Sequence, residues 1–181
     1  MIMKIKSVFP VLLLLAAPAL AQLGSGFSKS PSVTFAAPAP VVVKPGGSGK
    51  VQLYFRVLPG FHINSNQPKG EFLLATAVRL DAPTDIVISR LAYPPGQDRS
   101  FPFAPNEKLN VYTGDFSVTG MVNTTRSVSP GTYRVHGTLD YQACDNAACY
   151  PPKKLPVDFD VKVVPPSSAV QRNPGQSPHV H

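Results

Sequence analysis

Two cysteines stand in the run Tyr141-Gln142-Ala143-Cys144-Asp145-Asn146-Ala147-Ala148-Cys149-Tyr150-Pro151-Pro152, and the chain has no others. A pair this close can form a local disulfide, which either stiffens a loop or trades electrons with other thiols. As a staple it is a poor investment: a loop of about six residues gains only about 2 kcal/mol, against about 4.7 for a 100-residue loop. Spacing alone leaves the structural and the redox-active readings both open. The flanking charges lean toward chemistry. A thiol of pKa about 8.5 is only about 3% thiolate at pH 7. Asp145 disfavours the thiolate at its neighbour Cys144, while Lys153 and Lys154 favour it at Cys149 if they fold back. Cys149 is therefore expected to attack and Cys144 to resolve. Pro151-Pro152 stiffens the loop exit.

The elements that must hold this pair are strands. Val51, Leu53, Phe55 and Val57 alternate with Gln52, Tyr54 and Arg56, the pattern of a half-buried strand. Tyr133, Val135, Leu139 and Tyr141 share one face of a second, opposite Thr132, Arg134, His136, Thr138 and Asp140. Leu155, Val157, Phe159, Val161 and Val163 form a third; shorter candidates are Val33–Ala36, Ala75–Asp81, Ile86–Tyr93, Leu109–Tyr112 and Phe116–Val122. Pro-Gly signals such as Pro59-Gly60 and Pro130-Gly131 separate them. With 21 prolines in 181 residues a mostly helical fold is excluded, and 43% apolar content excludes a disordered chain. Seven or eight strands with one apolar face each bury it against a second sheet, so the expected fold is an all-β sandwich, with a small barrel as runner-up.

The ends read differently. Lys4, Lys6 and the apolar stretch Val8–Leu20 form a signal peptide over residues 1–21, cleaved after Ala21. Residues 22–31 read as a flexible leader, 32–164 as the single domain and 165–181 as a disordered Pro/Ser-rich tail. Losing the signal's two lysines lowers the formal charge from +7 to +5, and the remaining basic residues are scattered, so no nucleic-acid partner is expected.

Other reactive side chains carry less. His62 follows the Pro59-Gly60 turn and could approach the cysteines to ease proton transfer, although packing is the plainer role. His136 sits on a polar strand face. His179 and His181 make a poor two-ligand metal site, and no metal or cofactor is expected. Tyr141 and Tyr150 flank the cysteines and either pack or shield them. Asn123-Thr124-Thr125 fits a glycosylation sequon. No nucleophile triad or phosphate loop is present.

The two halves of the cysteine run, Tyr141-Gln142-Ala143-Cys144 and Cys149-Tyr150-Pro151-Pro152, closely resemble the N-terminal periplasmic domain family of the thiol:disulfide interchange protein DsbD. The stretch Leu58 to Gln67-Pro68 (LPGFHINSNQP) looks like the family's first characteristic segment, and Leu109-Asn110-Val111-Tyr112-Thr113-Gly114 is similar to the segment after its cap loop. The resemblance covers roughly residues 32–164. It implies an immunoglobulin-like sandwich whose cysteine pair cycles between dithiol and disulfide, with Cys149 forming the mixed disulfide. It also implies a cap loop near Arg99–Phe103 with Phe101 or Phe103 as shield. Implied partners are periplasmic thioredoxin-like proteins, including disulfide isomerases and cytochrome c maturation reductants. This sequence carries neither the multi-span membrane domain nor the C-terminal thioredoxin-like domain of full-length members. Either a separate membrane electron donor, such as a DsbD-type transmembrane protein, is expected to reduce it, or the domain has taken on another role. The competing expectation is a non-catalytic immunoglobulin-like binding module with a structural disulfide; a thiol-based metal-handling protein is a weaker third.

Overall fold

The computed structural model describes residues 31–70 and 72–166, so the signal segment, nearly all of the leader, the terminal histidines and nearly all of the tail lie outside it. Among the described residues every regular element is a strand. They run β1 (Val33–Ala36), β2 (Val41–Val43), β3 (Ser48–Val57), β4 (His62–Asn64), β5 (Ala77–Asp81), β6 (Ile86–Ala92), β7 (Gln97–Phe101), β8 (Ala104–Tyr112), β9 (Asp115–Thr124), β10 (Gly131–Tyr141), β11 (Ala143–Cys144), β12 (Lys153–Pro156) and β13 (Phe159–Val163).

Two sheets make an immunoglobulin-like sandwich. One has the order β1-β3-β9-β6. In the other, β10 pairs with β5 on one edge and with β12 and β13 along the other, and β13 pairs in parallel with β2. The period-2 alternation seen in the sequence aims Val51, Leu53, Phe55 and Val57 from β3 and Phe116, Val118 and Val122 from β9 at Val135 and Leu139 of β10 and Phe159, Val161 and Val163 of β13. These side chains form one core, and each large one that leaves water contributes on the order of 1.5–3 kcal/mol.

The expected strand from Leu155 to Val163 is split. Its two parts keep a single register on β10, with Thr138 opposite Pro156 and Val135 opposite Phe159. Pro156 has no N–H to offer the ladder. The gap at Val157 is bridged by its N–H donating to the Gly137 carbonyl at 2.9 Å. Residue 137 has to be glycine, because a Cβ there would run into the Arg79 carbonyl oxygen of β5.

A third, small sheet of order β11-β4-β8-β7 goes beyond the two expected from sequence. It carries Cys144, which Cys149 meets through an isolated bridge. The region expected to be a cap loop is in fact regular: β7 and β8 form a hairpin, with Phe101 opposite Ala104 and Pro102-Phe103 at the tip.

Candidate redox site

The turn Leu58-Pro59-Gly60-Phe61 starts the site. Phe61 N–H donates to the Leu58 carbonyl at 3.1 Å. Gly60 takes a φ of 84°, so this is the type II pattern, with proline first and a residue free of Cβ second. The turn delivers His62 and Ile63 onto β4, where Ile63 pairs with Ala143 and His62 with Cys144. Directly opposed residues of antiparallel strands project to the same face, with Cβ atoms about 4.5–5.5 Å apart. His62 and Cys144 are therefore neighbours.

Cys144 and Cys149 are joined by a disulfide, their Cα atoms 3.9 Å apart across an antiparallel bridge. Cys144 is wholly buried, whereas Cys149 is exposed. The loop between them is organised by Asp145, whose Oδ1 accepts the N–H groups of Ala147 at 2.8 Å and Ala148 at 2.9 Å. Its other oxygen accepts the Tyr150 hydroxyl, which holds that phenol above the ordinary tyrosine range. Tyr150 N–H returns to the Ala143 carbonyl at 2.8 Å and closes the loop.

Above His62 lies the tip of the β7–β8 hairpin. Phe101 stacks on the imidazole with ring centroids 3.7 Å apart, and Phe103 lies farther out at 6.2 Å. Phe101 is buried; Phe103 is 36% exposed. Of the two aromatic residues expected near the cap, Phe101 is the one stacked directly on His62. The hairpin base is tied down by Asp98, which pairs with Lys69 and accepts the Asn110 amide at 2.7 Å.

His62 is 3% exposed, and its Nε2 has no hydrogen-bond partner among the described residues. Burial pushes its pKa down to about 4; Asp145 opposes the fall and Arg99 on β7 adds to it. The ring is neutral at pH 7.

The remaining expected residues divide. Tyr150 packs edge-on against Phe61, centroids 6.1 Å apart, at the base of the loop. Tyr141 is a buried core residue whose hydroxyl meets Ser32 Oγ at 3.3 Å. Lys153 and Lys154 lie on β12 in register with Tyr141 and Asp140. Asp140 pairs there with Arg79 at 2.9 Å and stays below the ordinary carboxylate range because Thr138, Arg79 and Lys154 outweigh its burial. His136 pairs with Asp158 at 2.8 Å, away from the cysteines.

Sequence reasoning missed Asn64 and Gln142. Asn64 is fully buried, donates to the Leu74 carbonyl at 3.0 Å and reaches Gln142 Oε1 at 3.5 Å. Gln142 in turn donates to the Tyr150 carbonyl at 3.2 Å, joining β4 to the exit of the cysteine loop. Both residues sat inside the two characteristic stretches, which was the only available signal.

A family model described as thiol:disulfide interchange protein DsbD, N-terminal, matches residues 32–160. The chain belongs to the DsbD N-terminal family. Its general chemistry is accordingly thiol–disulfide exchange. Among solved structures it is similar to the DsbD N-terminal domain of Neisseria meningitidis in the reduced form, at 20% identity over 67% of this chain and 80% of that one, TM-score 0.38. It is also similar to the N-terminal periplasmic domain of ScsB from Proteus mirabilis, at 16% identity over 72% of this chain and 44% of that one, TM-score 0.44. A third is the complex between the DsbD and PilB N-terminal domains of Neisseria meningitidis, at 16% identity over 66% and 80% of the two chains, TM-score 0.38. No curated protein matches the chain.

Proposed function

We propose that this DsbD N-terminal domain is an exported, periplasmic reductant that passes electrons to thioredoxin-like partners through Cys149 and Cys144. The observation that carries this reading is the asymmetry of the pair, with an exposed Cys149 bonded to a wholly buried Cys144. In the dithiol form the Cys149 thiolate attacks a partner disulfide, forming a mixed disulfide and releasing one partner thiolate. Cys144 then attacks Cys149 Sγ, re-forming the disulfide and releasing the second partner thiol. The partner gains two electrons and two protons, and the domain loses them. A separate membrane-embedded dithiol protein of the DsbD type restores the reduced state. Phe101 shields the pair, Phe103 extends the apolar tip, Tyr150 holds the loop and Tyr141 anchors β10 beneath it.

The test is trapping. Cys144→Ser, reduced and mixed with an oxidised thioredoxin-like protein, is expected to accumulate a mixed disulfide through Cys149, and Cys149→Ser to form none. Absence of any adduct with Cys144→Ser would return the domain to a binding module with a structural disulfide.

A further inference from the structure

We propose that Asp145 is a positioning residue for the resolving step: its carboxylate keeps the cysteine loop folded in the dithiol form, so that Cys144 meets Cys149 already in place. The inference rests on the exchange reading above and deepens it.

The loop is held by bonds that owe nothing to sulfur. Asp145 N–H donates to the Ala148 carbonyl at 3.0 Å, and Tyr150 N–H to the Ala143 carbonyl at 2.8 Å. Asp145 Oδ1 accepts the N–H groups of Ala147 and Ala148, and Oδ2 accepts the Tyr150 hydroxyl. Ala148 and Tyr150 are the chain neighbours of Cys149, and Asp145 is the chain neighbour of Cys144. One side chain therefore ties both flanks of the attacking cysteine to the residue beside the resolving one. Because no sulfur takes part in these bonds, reduction of the disulfide breaks none of them. Packing does little here: Asn146, Ala147, Ala148 and Cys149 are all exposed, so the order of the loop rests on its hydrogen bonds.

In the resolving step Cys144 gives up its proton and its thiolate attacks Cys149 Sγ. The bond from Cys149 to the partner sulfur breaks, the electron pair leaves on that sulfur, and the departing thiolate takes up a proton. The step is intramolecular, so its rate follows how often the two sulfurs stand within reach of each other. An untied loop of exposed residues samples many shapes and loses that advantage. The same carboxylate also acts by charge, and in the opposite direction. A negative group beside Cys144 disfavours its thiolate and slows attack. Asp145 is half-buried and its oxygens are taken up by three donors, so the charge is screened, and the ordering of the loop prevails. The two effects differ in sign, which makes them separable.

The experiment mixes the reduced mature protein with half an equivalent of 5,5′-dithiobis(2-nitrobenzoate) in stopped flow. Attack by Cys149 releases the first thionitrobenzoate, and attack by Cys144 on the resulting mixed disulfide releases the second. Asp145→Ala removes the ties and the charge together and is expected to slow the second phase about tenfold. Asp145→Asn removes the charge but keeps an oxygen for the two N–H groups, and it should restore the second phase to within about threefold of the parent. The first phase should move less than about threefold in either variant. Equilibration with glutathione should show the same loss for Asp145→Ala as a potential about 30 mV less negative, the equivalent of about tenfold in a two-electron couple. A second phase that speeds up in both variants would make Asp145 a purely electrostatic influence and overturn the proposal. An unchanged second phase and potential, with only a lower melting temperature, would make it a structural stabiliser and overturn it as well. If Asp145→Ala does not fold when reduced, Tyr150→Phe cuts one of the three ties and carries the same test: a slower second phase supports the proposal and an unchanged one overturns it. A reduced parent protein that releases no thionitrobenzoate would instead defeat the exchange reading.

Discussion

Phe101 lies flat on the His62 imidazole, centroids 3.7 Å and planes 12° apart, and His62 in turn stands opposite Cys144. The hairpin tip therefore covers a histidine whose strand neighbour is the buried Cys144. Stacking at this distance replaces water over the whole ring face.

The first prediction separates the two tip aromatics. Phe101→Ala should speed reduction of the Cys144–Cys149 disulfide by dithiothreitol roughly tenfold, because access governs attack on a disulfide. Phe103→Ala should change it less than about twofold, since Phe103 lies 6.2 Å from His62 and is 36% exposed. Equal effects from both would mean that the tip shields only as a unit.

Stability should fall with acid in a defined window. His62 is depressed to about 4 in the folded protein, below its ordinary value of 6.5. Above pH 6.5 both states hold it neutral. Between 6.5 and about 4 the unfolded chain binds a proton that the folded one refuses, so unfolding becomes easier; below about 4 the loss levels off. The full effect is about 3 kcal/mol. Urea denaturation at pH 7, 5 and 4 should show it in the parent protein, and His62→Phe should lack it.

The reduction potential of Cys144–Cys149, read by thiol trapping across a redox-buffer series, should fall between about −180 and −270 mV, the range of exchange proteins. A value below about −300 mV marks a structural disulfide, and the binding-module reading would then hold.

The sandwich was legible because its strands alternate. Val33–Ala36 has the bounds expected of it, and the alternation of Val51 to Val57 and of Val135 to Tyr141 named the core faces. The small sheet was not legible. His62, Ile63 and Asn64 are all buried, so β4 shows no alternation; Gln97 to Ser100 are all exposed and polar, so β7 has no apolar face. Adjacency was hidden as well. Asn64 meets Gln142 across 78 positions, and only the register of β11 on β4 makes His62 a neighbour of Cys144. The place of the lysines was hidden for the same reason: near Cys149 in sequence, they belong to a strand whose ladder runs along Tyr141 and Asp140.

The parallel pairing of β2 with β13 sets a timetable for the newborn chain. Val41, Val42 and Val43 have their ladder partners in Val161, Lys162 and Val163, almost the last residues of the domain to be made. The cysteines need only a short hairpin, which forms as soon as its own loop exists, whereas distant strands must first find each other. A chain that emerges amino end first can therefore be oxidised at Cys144 and Cys149 while β2 still waits unpaired. Closure of the sandwich comes last, and a chain cut before Val161 never reaches it.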